Sequence, residues 1–116
     1  LLTTYATYTE VPKVKAYTRE LLKDYAEHKF GRSNVQFACL NLLITQESDW
    51  NYRSKNKQSG AYGLAQALPA GKYATQGKDW RVNPYTQIDW ALKYLKLRYH
   101  NDACVAVRHE MLKGWW

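Results

Sequence analysis

The sequence predicts a mainly α fold, a compact helical domain with a buried central helix. Apolar residues recur at helical spacing near residues 14–29, 35–46 and 84–99. This spacing places them on one face of a helix, where they can pack into a core. With 116 residues, of which 46% are hydrophobic and 15% aromatic, the chain can bury one core but has little room for a second.

The first predicted helix runs from Val14 to about Lys29 and ends near Gly31. It is amphipathic, with its apolar side formed by Tyr17, Leu21, Leu22 and Tyr25. The first twelve residues, which begin without Met, show no clear pattern. We therefore expect an N-terminal extension over residues 1–12 and a catalytic domain over residues 13–116.

The central helix is predicted to begin near residue 34, where Ser33 or Asn34 can accept a backbone N–H at its start. Its apolar face is predicted to include Val35, Ala38, Cys39, Leu42, Leu43 and Gln46, widened by Phe37, Leu40 and Ile44. So wide a face is typical of a helix that is buried on most sides. The apolar run stops at Gln46, where a polar segment begins.

Three more helices follow in the second half of the chain. A short one is expected from Leu68 to Ala74, with Pro69 at its start and Gly77 just beyond its end. Next, Asn83 can cap a long helix with Pro84 in its first position. Its packing face is predicted to be Ile88, Ala91, Leu92, Leu95 and Tyr99. The last short helix is predicted from Val105 to Leu112.

Glu47 is the candidate general acid, because it lies where the central helix stops and a polar loop begins. A carboxyl that is half buried there has a raised pKa and could keep its proton near neutral pH. The alternative is a solvated glutamate at a helix end. Asp49 is two residues further on and would point about 200° away, at about 100° per residue, so we interpret it as structural.

The loop after the central helix contains Gly60 and Gly63, which allow a tight backbone course close to a ligand. Ordinary turn geometry is the alternative explanation for two such glycines. The combination of this loop with the preceding glutamate is more specific than either feature alone.

Glu47-Ser48 and the segment from Ser59 to Gln66, Ser-Gly-Ala-Tyr-Gly-Leu-Ala-Gln, carry a resemblance to a known family. The chain resembles the lysozyme-like transglycosylase domains, which are related to soluble lytic transglycosylases and goose-type lysozymes. The resemblance is closest to the actinobacterial and phage branch. Motifs shared with that branch continue through Gln66-Ala67-Leu68-Pro69, Asn83-Pro84, Trp90 and Gly114-Trp115-Trp116. It implies a lysozyme-like fold in which the central helix ends at the catalytic Glu47.

The resemblance also implies roles for other residues. Ser59 and Gln66 match polar positions that line the cleft and bind the glycan, and Tyr94 matches a tyrosine near the catalytic acid. Ordinary core packing remains the alternative for Tyr94. Asn56 and Tyr62 are expected to contact sugar. Four tryptophans are either core residues or sugar platforms, with core favoured for most: Trp50, Trp80, Trp90 and Trp115.

Cys39 and Cys104 match cysteine positions in the resembled branch, which implies one disulfide; two buried free thiols are the alternative. A disulfide would indicate an extracytoplasmic setting, secreted or cell-wall associated, or a phage virion. His28, His100 and His109 are scattered, so we predict no metal site, and no cofactor is implied.

The net charge of +7 and the pI of about 9.4 indicate an anionic partner. Basic residues are spread along the chain without the dense run of a nucleic-acid arm. The charge alone does not choose between nucleic acid, acidic cell-wall polymers and a solvated basic surface. The resemblance implies peptidoglycan glycan strands as the partner, and no nucleic acid. No apolar stretch approaches the roughly 20 residues needed to span a bilayer, and we expect no membrane insertion. Nothing requires more than a monomer.

The resemblance implies a peptidoglycan lytic transglycosylase that cleaves between N-acetylmuramic acid and N-acetylglucosamine and leaves a 1,6-anhydro product. Glu47 would act as acid and then as base, assisted by the substrate N-acetyl group. Three alternatives stay open: a hydrolytic muramidase on the same fold, an inactive wall-binding or phage tail module, and a basic nucleic-acid binder.

Overall fold

A computed structural model describes residues 17–116 as a helical domain. Its four α-helices are α1 (Arg19–Phe30), α2 (Asn34–Ser48), α3 (Pro84–Tyr99) and α4 (Ala103–Lys113), and a 3-10 helix spans Ala70–Thr75. In this part of the chain, β-structure is limited to two isolated bridges around Tyr62. The prediction of a mainly α, lysozyme-like domain is confirmed. None of the described helices combines the length and hydropathy needed to cross a bilayer.

Helix α1 begins later than predicted. Thr18 has an extended backbone and its hydroxyl accepts the N–H of Leu21, so the helix starts at Arg19 and Tyr17 precedes it. The predicted start at Val14 and the predicted extension, residues 1–12, lie outside the described residues. Gly31 ends the helix in the left-handed region, as expected, with φ of 63°.

Helix α2 begins at the predicted cap and ends one residue beyond Glu47. The Ser33 hydroxyl accepts the N–H of Gln36, and Asp49 ends the helix in the left-handed region. The predicted packing face is largely wrong, because Val35, Ala38, Leu42 and Gln46 are exposed. The face that enters the core holds Gln36, Leu40, Leu43, Ile44 and Ser48.

The later helices agree closely with the expectations. Asn83 caps α3 through its side chain and Pro84 occupies the first turn. The predicted short helix is a 3-10 helix displaced to 70–75, after Pro69. Helix α4 is longer than predicted, because the Asp102 carboxylate accepts the N–H groups of Cys104 and Val105 and starts it at Ala103.

Helices α2 and α4 form the most extensive helix pair of the domain. The disulfide between Cys39 and Cys104 joins them, with their Cα atoms 4.9 Å apart, so the predicted pairing is confirmed. Nearer the start of both helices, the Gln36 amide donates to the Asp102 carboxylate at 2.9 Å and accepts the N–H of Ala103 at 2.7 Å. These bonds fix the register of α4 on α2.

Candidate active site

A cleft of about 560 Å³ opens at the end of helix α2. Glu47, the second-last residue of the helix, lies in its wall and is half-buried. Asn56, Ser59 and Gln66 from the loop after α2 supply polar groups to the same cleft. Another part of the wall is aromatic, and such a combination of polar and aromatic groups is typical of ligand-binding clefts.

The pKa of Glu47 is raised from 4.5 to about 7. Burial is the largest cause, since it disfavours the charged carboxylate. The negative charge of Glu110 and a side-chain hydrogen bond with Glu110 raise the pKa further. The Glu47 carboxyl therefore keeps its proton to a higher pH than an exposed glutamate does.

Asp49 is turned away from the cleft. Its carboxylate pairs with the Arg19 guanidinium at 2.9 Å, and both side chains are well exposed. This arrangement agrees with the structural role predicted for Asp49, which links the end of α2 to the start of α1.

The loop that follows α2 is held at Leu64 by two buried side chains. The Ser48 hydroxyl donates to the Leu64 carbonyl at 2.8 Å, and the Gln87 amide oxygen accepts the Leu64 N–H at 2.8 Å. Gln87 also donates to the carbonyls of Tyr52 and Trp80. Helices α2 and α3 thus fix the loop backbone beside Glu47.

Two aromatic side chains fix the next residue of the loop, Ala65. The Tyr73 hydroxyl accepts the Ala65 N–H at 3.1 Å and donates to the Tyr62 carbonyl at 2.7 Å. The Trp116 indole donates to the Ala65 carbonyl at 3.3 Å. Gly63 is required here, because it has a φ of 77° and a Cβ would overlap the Gln87 amide.

Polar side chains of the loop both shape it and face the cleft. The Asn56 side-chain oxygen accepts the N–H groups of Gln58 and Ser59, and the Ser59 hydroxyl accepts the N–H of Ala61. The Gln66 amide nitrogen donates to the carbonyls of Ser54 and Gly63. These bonds hold each side chain in one orientation at the cleft wall.

The aromatic wall comes from α3 and from the residues after α4. Trp90 and Tyr94 are stacked with ring centroids 4.9 Å apart, and the Tyr94 hydroxyl donates to the Trp116 carbonyl at 2.9 Å. Trp115 also lines the cleft and remains 50% exposed. Its carbonyl lies 2.8 Å from Nδ1 of His109, which helps to hold this segment against α4.

Comparison with known families matches residues 24–104 of the chain to the family described as Transglycosylase SLT domain. The chain belongs to this family. The SLT domain is thus of the lytic transglycosylase and lysozyme-like glycosidase type, which acts on peptidoglycan. Searches among curated proteins and among solved structures found no match.

Five of the six polar and acidic residues expected at the site line the cleft of the SLT domain: Glu47, Asn56, Ser59, Gln66 and Tyr94. Tyr62 does not line it. Its ring packs edge-on against Trp80 and its hydroxyl donates to the Arg81 carbonyl at 2.9 Å, so it supports the loop from behind. Of the four tryptophans for which the core was favoured in most cases, Trp50 and Trp80 are buried in the core, whereas Trp90 and Trp115 line the cleft.

Sequence reasoning missed Glu110, which contacts Glu47 from helix α4. It lies beyond the stretch that matches the family. The spacing of α4 offered a signal, because Glu110 follows Ala103, Ala106 and Val107 on the same helical face, and those three residues are buried. In residues 17–116, no three side chains of His, Cys, Asp or Glu converge as a metal site.

The Gln87→Leu variant should lower the free energy of unfolding of the SLT domain by about 3 kcal/mol, because the Leu64 N–H and two carbonyls lose their buried partner. Urea unfolding followed by circular dichroism measures this loss. Gln58→Leu is the matched control, since Gln58 is exposed, and it should change stability by less than about 0.5 kcal/mol. Equal stability of the two variants would contradict the role of Gln87.

Proposed function

We propose that this domain is a lytic transglycosylase that uses Glu47 as both general acid and general base. The observation that carries the proposal is the half-buried Glu47 carboxyl in the cleft wall, with its pKa raised to about 7. Such a group holds a proton at neutral pH and releases it readily to a leaving oxygen. Its proposed substrate is a peptidoglycan glycan strand.

The first step breaks the bond between N-acetylmuramic acid and N-acetylglucosamine. Glu47 protonates the glycosidic oxygen, the bond from that oxygen to C1 breaks, and the sugar with the new hydroxyl leaves. The remaining muramic sugar has an oxocarbenium-like C1, and its own N-acetyl oxygen stabilises the positive charge. Glu47 is then a carboxylate.

The second step closes the ring. Glu47 takes the proton from the C6 hydroxyl of the same muramic sugar, and the C6 oxygen forms a bond to C1. The product is a 1,6-anhydro end, Glu47 recovers its proton, and no water is consumed. One acid therefore suffices for both steps.

The arrangement of carboxyls supports this single-acid mechanism over a two-carboxylate one. Glycosidases with two catalytic carboxyls place them about 5 Å or about 6.5–9.5 Å apart, on either side of the scissile bond. Among the described residues that line the cleft, Glu47 is the one carboxyl, and Asp49 pairs with Arg19 outside it. The cleft lining therefore offers no second carboxyl on the far side of a bound sugar.

The cleft provides groups of the kinds that a glycan needs. Asn56, Ser59 and Gln66 would hydrogen-bond hydroxyl and N-acetyl groups, and the exposed ring of Trp115 offers a flat apolar surface to a sugar ring. Lys72, which also lines the cleft, would favour a strand that carries carboxylates.

The disulfide, the positive net charge and the family together support an extracytoplasmic site of action, either at the bacterial wall or on a phage particle. We place the domain in the actinobacterial and phage branch, on the sequence motifs described above. A domain acting on its own as a monomer is sufficient for this chemistry.

Products released from purified peptidoglycan should carry 1,6-anhydromuramyl ends, which mass spectrometry distinguishes from reducing ends because they are lighter by one water. The digestion is best repeated in water enriched in heavy oxygen. Ring closure leaves the products unlabelled, because the C6 oxygen comes from the sugar itself.

Labelled reducing ends would overturn the proposal in favour of a hydrolytic muramidase. Binding to the wall without release of fragments would overturn it in favour of a wall-binding module. A domain that binds DNA in a salt-sensitive way and leaves peptidoglycan intact would point to a nucleic-acid partner.

A further inference from the structure

Helices α2 and α4 meet along a seam that leads to the cleft. Three side-chain contacts follow one another in the same order along both helices: Gln36 with Asp102, Cys39 with Cys104, and Glu47 with Glu110. The two helices therefore run in the same direction, and their register is fixed by the disulfide and by the amide–carboxylate bond. The last contact of the seam is a pair of carboxyls.

Both glutamates lie on the inward faces of their helices. On α2, Glu47 continues the buried face formed by Leu40, Leu43 and Ile44. On α4, Glu110 lies one turn after Val107 on the buried face that starts at Ala103. The contact between the carboxyls is thus built into the packing of the helices.

Such a contact is unfavourable when both groups are charged, and a cation would normally relieve it. Within residues 17–116, the only ion pair joins Arg19 to Asp49, just after α2. This ion pair includes neither of the two glutamates. One shared proton is what makes the contact favourable, because a protonated carboxyl can donate to a carboxylate.

We propose that Glu110 is a positioning residue, which keeps the transferable proton on Glu47 before cleavage and strengthens Glu47 as a base afterwards. The inference rests on the proposed function and deepens it. Before the reaction the pair holds one proton and one negative charge. After Glu47 has protonated the glycosidic oxygen, the pair carries two negative charges beside the positive C1.

Those two charges act in both parts of the reaction. They stabilise the oxocarbenium-like C1, and they increase the proton affinity of Glu47 toward the C6 hydroxyl. When the C6 proton returns to Glu47, the pair again holds one proton, and the C6 oxygen has bonded to C1. Glu110 accepts no proton from the substrate in either step and does not need to touch it.

Other titratable groups near Glu47 are of different kinds. Tyr73 faces it from the 3-10 helix, and its pKa is raised by burial and by the charge of Glu47, so it stays neutral. Tyr94 from α3 lines the same cleft, and burial raises its pKa too. Lys72 is the one cationic side chain among the described residues that line the cleft. Among residues 17–116, Glu110 is thus the group whose charge opposes ionisation of Glu47.

The Glu110→Gln variant tests this role, because glutamine keeps the shape and a hydrogen-bonding group but removes the charge. Titration of the Glu47 carboxyl, followed by carbon NMR, should show a midpoint about one pH unit lower than in the wild type. The alkaline limb of the cleavage profile should move to lower pH by the same amount, since Glu47 must be protonated to act as the acid. At pH values above both midpoints, the variant should cleave glycan about tenfold more slowly than the wild type. Near pH 5, the loss of rate should be much smaller.

Glu27→Gln is the matched control, because Glu27 is exposed on α1 and its loss changes the net charge equally. It should leave the midpoint and the profile unchanged. Glu110→Asp restores the charge and should recover most of the wild-type midpoint. If the glutamine variant fails to fold, the Glu47 midpoint is measured in the aspartate variant and compared with that of the wild type.

An unchanged Glu47 midpoint in Glu110→Gln would overturn the role of Glu110, as would an aspartate variant that titrates like the glutamine variant. The NMR titration does not require activity, so its outcome is separate from that of the proposed reaction. Hydrated products from the wild type would refute the transglycosylase but leave the measured coupling between the carboxyls standing.

Discussion

Replacing Glu47 with glutamine should lower the rate of glycan cleavage by about 10³- to 10⁴-fold. Glutamine fills the same volume in the cleft wall, but its amide cannot give a proton to the glycosidic oxygen or take one from the C6 hydroxyl. Both steps of the proposed reaction fail together. The measurement is the initial rate of release of soluble fragments from purified peptidoglycan, with the wild type and the variant at equal concentration.

The loss must be separated from a loss of structure. The pKa of Glu47 is raised in the folded domain from 4.5 to about 7, so the folded state binds this proton more tightly than the unfolded chain does. Its contribution to stability is fully present below pH 4.5 and disappears as the pH rises through 7. The glutamine variant has no buried carboxylate, and near pH 8 it should melt at or above the temperature of the wild type.

Glu27→Gln again serves as the matched control, since it removes a carboxyl from an exposed position on α1 and should leave cleavage unchanged. A folded Glu47→Gln variant that retained wild-type cleavage would remove Glu47 from the mechanism. A variant that lost activity together with its melting transition would implicate Glu47 in folding instead of in proton transfer.

The existence of the helices could be predicted from sequence because caps and spacing are local features. Ser33 and Asn83 begin α2 and α3 through hydrogen bonds to residues two or three positions ahead. The buried face of α2 was harder to predict. This helix carries apolar residues on most of its sides. Spacing alone therefore could not show that Leu40 and Ile44 enter the core whereas Val35 and Leu42 stay exposed.

The position of Glu47 in the cleft was predictable from where the apolar run stops, but its partner depends on tertiary register. Glu110 meets Glu47 because α4 lies parallel to α2, in a register to which the disulfide and the Gln36–Asp102 bond both contribute. The positions of the paired cysteines could have indicated Glu110 as the partner of Glu47. Glu47 is eight residues after Cys39 and Glu110 is six after Cys104. At about 1.5 Å per residue, the two glutamates are carried similar distances along their helices.

The supports of the loop after α2 could not be predicted for a different reason. Gln87 and Tyr73 act on backbone groups of Leu64, Ala65 and Tyr62, and these groups come within reach only after the loop has folded. In sequence, both resemble ordinary residues of amphipathic helices. Both side chains hold the backbone of a glycine-containing loop. Local sequence patterns do not specify the path of that loop, so they could not show which side chains bind it.

Removing the disulfide should cause the largest loss of stability. The chain-entropy model assigns about 4 kcal/mol to a cross-link over a loop of this length, because the bond restricts the unfolded chain. Cys39 and Cys104 are separated by 65 residues. The double variant Cys39→Ala/Cys104→Ala should therefore unfold in urea at a midpoint lower by about 2 M, at a slope of about 2 kcal/mol per M.

Reductant gives the matched control. Dithiothreitol should shift the wild-type midpoint toward that of the double variant and should leave the double variant itself unchanged. Coincident midpoints for oxidised and reduced wild type would contradict a stabilising disulfide. A shift of equal size in the double variant would show that the reductant acts on something other than this bond.

The same variant also connects stability to the site. The disulfide lies along the seam between the Gln36–Asp102 contact and the carboxyl pair, so its loss leaves the register of α4 to the amide–carboxylate bond and the apolar packing. If the folded double variant keeps a raised midpoint for Glu47, the amide–carboxylate bond and the apolar packing are enough to set the contact with Glu110. If that midpoint falls toward the value in Glu110→Gln, the cross-link is what holds the two carboxyls together, and it then supports catalysis as well as folding.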